Sequence, residues 1–209
     1  MKVVIFDMDG TLLDSQKDIT ISVNYIRDTH YSLAPLSEAF IVQAINMDVR
    51  NLPKLFYGTE LYEEKDRKAF EIHYALQCVQ NPYLYEGVKE TLDSLVKAGV
   101  KISVATNAPT PFALRMLTHL GVASLFDIII GANEVKVSKP NPEMLYKILN
   151  HYKFDSTTDE AWMVGDNSKD MQSASNAKIG AIFATWGFSP DGNDEVTINH
   201  PQELLEIVL

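Results

Sequence analysis

Two carboxylates lie two positions apart near the start of the chain. Asp7 and Asp9 open the segment DMDGTLLDS, which directly follows a short apolar run. Carboxylates just beyond a buried strand are costly unless a cation or a proton accompanies them. Gly10 permits the tight turn and the close backbone approach that such a site needs. The pattern favours a catalytic or metal-binding site over a plain turn. A calcium loop fits poorly, because Leu12 and Leu13 stand where further oxygen ligands are required.

Five more polar side chains follow later apolar runs of the chain. They are Thr106 with Asn107, then Lys139, then Asp166 and Asp170. Taken singly, each has an ordinary interpretation as a helix cap, a solvated lysine or a turn residue. If the runs are parallel strands, however, their carboxyl ends share one edge of a sheet, which is where open α/β sheets bind ligands. We therefore expect these groups to lie together beside the first pair of carboxylates.

The elements that would position these groups are short apolar runs alternating with helical stripes. The runs at residues 3–6, 102–105, 128–130, 162–164 and 181–184 are continuous rather than alternating, which is typical of strands buried on both faces of a parallel sheet. Helical spacing appears within residues 88–96, 112–120 and 144–149, and a short helix is predicted at 201–208. This order predicts an α/β fold with a Rossmann-like, doubly wound parallel sheet.

Residues 16–82 have a different pattern. Their apolar positions repeat at helical spacing, and they contain no clear run of a buried strand. We interpret this segment as an all-helical domain inserted into the α/β domain, which then comprises residues 1–15 and 83–209.

Composition excludes several classes of function. The 209 residues carry 18 Lys and Arg against 28 Asp and Glu, a formal net charge of −10. Such a chain repels phosphates at long range, so we expect no binding to nucleic acid or to anionic membranes. A single cysteine, Cys78, excludes an intramolecular disulfide. No apolar run is long enough to span a membrane, and the first residues do not form a signal peptide, so the expected location is the cytoplasm.

The motifs described above resemble those of the haloacid dehalogenase superfamily, specifically its phosphatase branch. The segment beginning at Asp7 resembles the first motif of that family and Thr106 the second. Lys139 resembles the third motif, and Asp166 with Asp170 resembles the fourth. The resemblance implies that residues 16–82 form the helical cap domain of the family. The subgroup that is most similar is that of the phosphoglycolate phosphatases.

The resemblance also implies a mechanism at the first motif. Asp7 would attack phosphorus and form an aspartyl-phosphate. Asp9 would protonate the leaving oxygen and then accept a proton from the hydrolytic water. Mg²⁺ would neutralise the anions, with Asp7, the backbone carbonyl of Asp9 and Asp166 as protein ligands. Mn²⁺ or Co²⁺ could replace it in vitro.

The remaining motif residues are assigned supporting roles by the same resemblance. Lys139 would supply positive charge to the transferring group, while Thr106 and the Asn107 amide would hydrogen-bond its oxygens. Asp170 would hold either a metal-bound water or Lys139. In the helical segment, Arg50 is a candidate ligand for an acidic group of the substrate. The alternative is that Arg50 is a solvated or ion-paired surface residue.

The expected activity is Mg²⁺-dependent hydrolysis of a small phosphorylated metabolite, with phosphoglycolate as a candidate, by a monomer or homodimer. Asn46 stands where phosphoglycolate phosphatases commonly have a cap glycine, which weakens the case for that substrate. Two alternatives stay open: a sugar phosphomutase of the β-phosphoglucomutase type, and a non-catalytic binding protein on the same fold. A phosphonate hydrolase is disfavoured, because its relatives lack an aspartate at the position of Asp9. We interpret the segment that begins at Trp186 as a structural loop.

Overall fold

The computed structural model describes residues 1–47, 49–189 and 196–209. The chain forms two compact units, one of Met1–Asp14 with Leu84–Leu209 and the other of Ser15–Tyr83. Strand β1 (Lys2–Phe6) opens the first unit, and two short strands, β2 (Leu13–Asp14) and β3 (Tyr83–Leu84), lie where the chain passes between the units.

A six-stranded parallel sheet is the centre of the first unit. Its other strands are β4 (Lys101–Thr106), β5 (Ile128–Gly131), β6 (Glu160–Gly165), β7 (Gly180–Ala184) and β8 (Thr197–Ile198). Their order is β5-β4-β1-β6-β7-β8, so the strand that precedes Asp7 lies between β4 and β6. Phe6, the last residue of β1, pairs with Val104 on one side and Val164 on the other. The predicted parallel α/β sheet is confirmed.

The helices of the described residues alternate with these strands in the first unit and make up most of the second. They are α1 (Gln16–Tyr31), α2 (Glu38–Asn46), α3 (Leu52–Tyr57), α4 (Glu64–Gln77), α5 (Val88–Lys97), α6 (Thr110–His119), α7 (Glu143–His151), α8 (Ser168–Ala177) and α9 (Glu203–Val208). The stripes of apolar residues identified in the sequence coincide with α5, α6, α7 and α9. Helix α8 was not predicted, because three of its five buried residues, Lys169, Asp170 and Ser173, are polar or charged and leave no apolar stripe.

The core of the first unit is built from apolar side chains of the central strands and of α7. Ile5 and Met163 lie on neighbouring strands and pack in one cluster with Met144 and Ile148, and all four are buried. Each fully buried side chain of this size contributes about 2 kcal/mol through removal of apolar surface from water. The packed sheet provides a rigid base for the loops that follow the strands.

The second unit is held together by α1 and α4, which run antiparallel. Ser22 Oγ on α1 lies 2.9 Å from His73 Nδ1 on α4. Nearer the end of α1, His30 Nδ1 lies 2.6 Å from Asp66 Oδ1, and the Tyr31 hydroxyl donates to the other oxygen of the same carboxylate. Burial favours the neutral form of Asp66, yet these two hydrogen bonds lower its pKa below the usual value. Asp66 is therefore a buried carboxylate that is held in its charged form.

Candidate active site

The carboxyl ends of β1, β4 and β6 bring the predicted site residues to one edge of the sheet. Asp7 follows β1 directly, and its backbone N–H donates to Val164 O at 2.8 Å, which continues the pairing of the strands. Thr106 ends β4, and Asp166 follows β6. Parallel pairing with β1 at the centre therefore places Asp7, Thr106 and Asp166 side by side, as the motif spacing predicts.

Lys139 lies at the centre of this group. Its ammonium Nζ donates to Asp7 Oδ1 at 2.8 Å, to Asp170 Oδ1 at 2.6 Å and to Ala105 O at 2.6 Å. The residue is only 4% exposed. Burial by itself would lower the pKa of Lys139, but the carboxylates of Asp170 and Asp7 outweigh burial and raise it. The side chain therefore stays charged, and all three of its donors are satisfied.

Three carboxylates converge at the same place. Oxygen atoms of Asp7, Asp166 and Asp170 lie within 4.8 Å of one another. Burial, reinforced by the charge of the neighbouring carboxylates, raises the pKa of both Asp166 and Asp170. With all three ionised, one Lys139 ammonium leaves two negative charges uncompensated. A donor set made only of carboxylate oxygens, with an excess charge of −2, fits a hard divalent cation such as Mg²⁺.

Asp166 is fixed through both of its oxygens. The Thr11 hydroxyl donates to Oδ1 at 2.9 Å, and the backbone N–H of Phe188 donates to Oδ2 at 2.7 Å. Gly10 passes directly against this carboxylate, since a Cβ atom built on it would lie 2.3 Å from Asp166 Oδ2. Gly10 also has a φ of +87°, which favours glycine. No other residue type fits this turn without displacing the carboxylate.

Asp170 has a second role at the start of α8. Its Oδ2 accepts the backbone N–H of Asn167 at 3.2 Å, and Asn167 in turn caps the helix with its side chain. This reciprocal arrangement is a capping box, which satisfies two donors at the end of the helix. One oxygen of Asp170 thus anchors the helix, while the other accepts from Lys139. The predicted contact between Asp170 and Lys139 is present in the structure.

The side chain of Asn107 is engaged with the backbone of Lys139. Its Nδ2 donates to Lys139 O at 3.1 Å, and its Oδ1 accepts from Lys139 N at 3.0 Å. The Thr106 hydroxyl oxygen accepts the backbone N–H of Ala108 at 3.0 Å. The Asn107 carboxamide therefore positions the loop that carries the lysine. The amide that the sequence analysis assigned to phosphoryl oxygens is thus bonded at both ends within the protein, and its contact with substrate stays a prediction.

Comparisons with known proteins decide the family. The sequence model of the haloacid dehalogenase-like hydrolases matches residues 4–184. The chain belongs to the haloacid dehalogenase-like hydrolase family. A phosphoglycolate phosphatase of Yersinia pseudotuberculosis is 32% identical to the chain in an alignment 208 residues long, which covers 97% of this chain and 88% of the relative. An N-acetylmuramic acid 6-phosphate phosphatase of Pseudomonas aeruginosa is 29% identical over 100% of this chain and 95% of its own.

Solved structures agree on the fold of this hydrolase. A crystal structure of a protein from Haemophilus somnus 129PT, described as a predicted phosphoglycolate phosphatase, superposes with a TM-score of 0.84 at 24% identity. The match covers 100% of this chain and 98% of the other. The family and its curated relatives make the protein a phosphatase, that is, a phosphoric monoester hydrolase. Within the described residues, no helix has the length and apolar character needed to cross a membrane.

The two other predicted site residues of the hydrolase are Asp9 and Arg50. Asp9 is partly exposed at the turn that follows Asp7. Arg50 lies in the second unit, where its guanidinium donates to the backbone carbonyls of Ile45 and Met47, the latter at 3.2 Å. These bonds tie Arg50 to the C-terminal end of α2. The role of Arg50 as a substrate ligand stays a prediction.

The loop that begins at Trp186, which the sequence analysis interpreted as a structural loop, contacts two residues of the site. It supplies the Phe188 N–H to Asp166, and the Trp186 indole N–H donates to Thr11 O at 3.0 Å. Like the loops that carry the motifs, this loop follows an apolar strand, and that position was the only indication in the sequence that it lies near the site. A tryptophan and two small or aromatic neighbours carry no charge, so the segment lacked the residue types that indicate catalysis.

Proposed function

We propose that this phosphatase hydrolyses a small phosphomonoester in a Mg²⁺-dependent reaction that passes through an aspartyl-phosphate on Asp7. The observation that carries the proposal is the cluster of Asp7, Asp166 and Asp170 around the buried ammonium of Lys139. The cluster presents a carboxylate nucleophile next to a fixed positive charge. When its three carboxylates are ionised, its excess negative charge can be balanced by a divalent cation. Phosphoryl transfer depends mainly on such positioning and charge neutralisation.

In the first half-reaction, a carboxylate oxygen of Asp7 attacks phosphorus and the bond from phosphorus to the ester oxygen breaks. Asp9 donates its proton to the departing oxygen, which therefore leaves as a hydroxyl group rather than as an alkoxide. The partly exposed position of Asp9, two residues after the nucleophile, supports this role. Lys139 contacts Asp7 Oδ1 at 2.8 Å and so orients the nucleophile, and its charge stabilises negative charge on the transferring group.

In the second half-reaction, a water molecule attacks the phosphorus of the aspartyl-phosphate. Asp9 accepts a proton from that water, the bond between phosphorus and the Asp7 oxygen breaks, and inorganic phosphate leaves. The Asp7 carboxylate and protonated Asp9 are then restored, so the cycle balances without a further reactant. Thr106 and the backbone amide of Asn107 are proposed to donate hydrogen bonds to phosphoryl oxygens in both halves.

Asp7, Asp166 and the backbone carbonyl of Asp9 are proposed to hold Mg²⁺. When bound, the ion supplies charge neutralisation and polarises a phosphoryl oxygen. Asp170 is proposed to remain outside this set, because one of its oxygens pairs with the Lys139 ammonium, whose charge opposes a second cation, and the other anchors α8 through the Asn167 N–H. Asp166 accepts one hydrogen bond on each oxygen, but only from neutral donors, the Thr11 hydroxyl and the Phe188 N–H, so it is the carboxylate best prepared to bind the metal.

The helical unit is proposed to act as a cap that selects the substrate and excludes water during the phosphoryl step. The curated relatives differ in their substrates, since one is a phosphoglycolate phosphatase and another is an N-acetylmuramic acid 6-phosphate phosphatase. Phosphoglycolate is the first substrate to test for this chain. Arg50 is the candidate group for an acidic part of the substrate, and its binding there would require release from the backbone carbonyls that it now contacts.

The test measures phosphate release from phosphoglycolate, N-acetylmuramic acid 6-phosphate, sugar phosphates and a chromogenic ester, with Mg²⁺ and with EDTA. Asp7→Asn serves as the nucleophile variant, and Asp93→Asn, which alters an exposed carboxylate on α5, serves as the matched control. A coupled assay for the conversion of β-glucose 1-phosphate to glucose 6-phosphate tests the mutase alternative in the same preparations.

The proposal expects turnover that needs Mg²⁺, survives in Asp93→Asn and falls by at least about 10³-fold in Asp7→Asn. Acid quenching during turnover should trap phosphate on the wild-type chain at Asp7. Turnover that persists in Asp7→Asn would exclude this nucleophile. Mutase activity without net phosphate release would establish the alternative instead.

A further inference from the structure

The loop from Trp186 to Phe188 follows β7 and lies against the metal-binding side of the site. The chain passes from β7 through Thr185, whose N–H bonds to Ile198 O, and then turns toward the first motif. Within three residues it makes a side-chain bond to Thr11 and a backbone bond to Asp166. These residues belong to the first and fourth motifs, so the loop connects two separate parts of the site.

The indole of Trp186 is directed into apolar surroundings. It lines a small pocket together with Leu12, Val88, Ile198 and Leu204. An indole N–H in such surroundings needs a partner, and here the partner is Thr11 O at 3.0 Å. Thr11 is 1% exposed. The indole therefore anchors the backbone of a residue that water does not reach.

The side chain of the anchored residue contacts the metal-binding carboxylate. Thr11 Oγ1 donates to Asp166 Oδ1 at 2.9 Å, while Phe188 N donates to Oδ2 at 2.7 Å. Each oxygen thus accepts one bond, and the two donors approach from different segments of the chain. Rotation of the carboxylate would break at least one of them. Partners of this kind orient ligands and tune metal affinity.

Gly187 shows how closely the loop approaches. A Cβ atom at this position would lie 2.2 Å from Gly10 O and 2.4 Å from Asp166 Oδ2. No side chain fits there, so the loop backbone lies in direct contact with the turn of the first motif. The two bonds to Thr11 and Asp166 are therefore made by a segment that is already confined by packing.

We propose that Trp186 is a positioning residue for the metal site, which holds the Thr11 backbone through its indole N–H and thereby sets the orientation of the Asp166 carboxylate. The inference rests on the proposed function for the identity of the site as a Mg²⁺ site. It adds that metal affinity depends on the hydrogen bond from Trp186 to Thr11, which reaches the metal only through Thr11 and Asp166. The side chain that makes this bond lies outside the family motifs.

The test measures metal affinity directly, without substrate. Mn²⁺ binding to purified apo-protein is followed by electron paramagnetic resonance of the free ion, and the Mg²⁺ activation constant, kcat and KM are measured in parallel. The variants are Trp186→Phe, which keeps aromatic bulk and removes the N–H, Thr11→Val, Thr11→Ser and the double variant Trp186→Phe/Thr11→Val. Trp162→Phe, which alters the other tryptophan of the chain, is the control.

Trp186→Phe is expected to weaken Mn²⁺ binding and to raise the Mg²⁺ activation constant about 10-fold, while KM for substrate at saturating Mg²⁺ stays unchanged. Thr11→Val should weaken binding at least as much, and Thr11→Ser should retain it. Because both residues act through one carboxylate, the double variant should lose less than the product of the two single losses.

Wild-type Mn²⁺ affinity in Trp186→Phe would overturn the inference, as would fully multiplicative losses in the double variant. If the wild-type protein itself binds neither Mn²⁺ nor Mg²⁺, the proposed function fails as well, so the two failures are distinct. Should Trp186→Phe not fold, as judged by circular dichroism in EDTA, a benzothiophene analogue of tryptophan replaces it. Incorporated in the Trp162→Phe background, the analogue exchanges the N–H at position 186 for sulfur and keeps the shape of the ring.

Discussion

Replacement of Lys139 by methionine removes the ammonium group that pairs with both Asp7 and Asp170 and changes the side-chain volume little. The two ion pairs have N–O distances of 2.8 Å and 2.6 Å, and the lysine side chain is 2% exposed. At an effective dielectric constant of about 20, each pair is worth about 6 kcal/mol of Coulomb energy. Desolvation of the ions offsets most of this energy. Loss of one partner from a buried ion pair typically destabilises a protein by about 3–5 kcal/mol, and we expect a value in that range near pH 7.

The loss of stability in Lys139→Met should increase with pH. Lys139 lowers the pKa of Asp170 relative to what burial alone would produce, so its removal raises that pKa further. A carboxyl group with a raised pKa in the folded state binds more protons there than in the unfolded state. Stability then falls as the pH rises from the unfolded pKa toward the folded one, by up to about 1.4 kcal/mol per pH unit for each such group. The deficit of Lys139→Met should therefore be small near pH 4.5 and largest near pH 8.

The assay is urea denaturation followed by circular dichroism between pH 4.5 and pH 8 in EDTA, so that no metal contributes. Lys89→Met is the matched control, because Lys89 pairs with Asp93 on the exposed face of α5 and should change stability little. A Lys139→Met variant that is as stable as the wild type at pH 8 would refute the electrostatic account. A deficit that does not vary with pH would assign the effect to packing rather than to charge.

Three further predictions concern other contacts. Asp66→Asn should destabilise the second unit by about 2 kcal/mol at pH 7. Since the pKa of Asp66 is lowered in the folded state, the difference from wild type should close as the pH falls below about 4 in denaturation experiments. Asn107→Ala removes the side chain that holds the backbone of Lys139, so kcat for phosphate release should fall about 10–100-fold because the lysine is misplaced. Mn²⁺ affinity, measured by titration of the apo-protein, should stay unchanged. Gly10→Ala should abolish Mn²⁺ binding measured as above. Gly58→Ala, at a positive φ where the added Cβ would meet no other part of the chain within 4 Å, should only reduce the melting temperature.

The sequence was most informative where hydrophobic burial and motif chemistry coincide. Strands β1, β4 and β6 are continuous apolar runs because both faces of the central sheet are covered, and each ends at a motif residue or directly before one. Parallel pairing then brings Asp7, Thr106 and Asp166 to one edge, so the approximate place of the site follows from topology alone. The contact of Lys139 with Asp170 was one of two options that the resemblance implied.

The parts that escaped prediction depend on features without a local hydrophobic signal. Helix α8 presents only Met171 and Ala174 as buried apolar residues, and its start is defined by the capping box of Asn167 and Asp170. Strand β8 contains two residues, too few for a pattern. The contacts of Trp186 join segments separated by 175 positions, so no local sequence pattern carries them. The backbone bonds of Arg50 likewise follow from the path of a loop.

The position of β1 in the middle of the sheet bears on the biosynthesis of the protein. Lys139 lies 132 residues after its partner Asp7, and Thr11 lies 155 residues before its partner Asp166. A growing chain on the ribosome must therefore keep an apolar strand with two unpaired edges until β4 and then β6 have emerged. At about 5–20 residues per second, the roughly 160 residues from the end of β1 to the end of β6 take about 8–32 s. The carboxylates of Asp7 and Asp166 can meet only after β6 has emerged, so a nascent chain exposes an apolar strand to aggregation long before the proposed metal site can form.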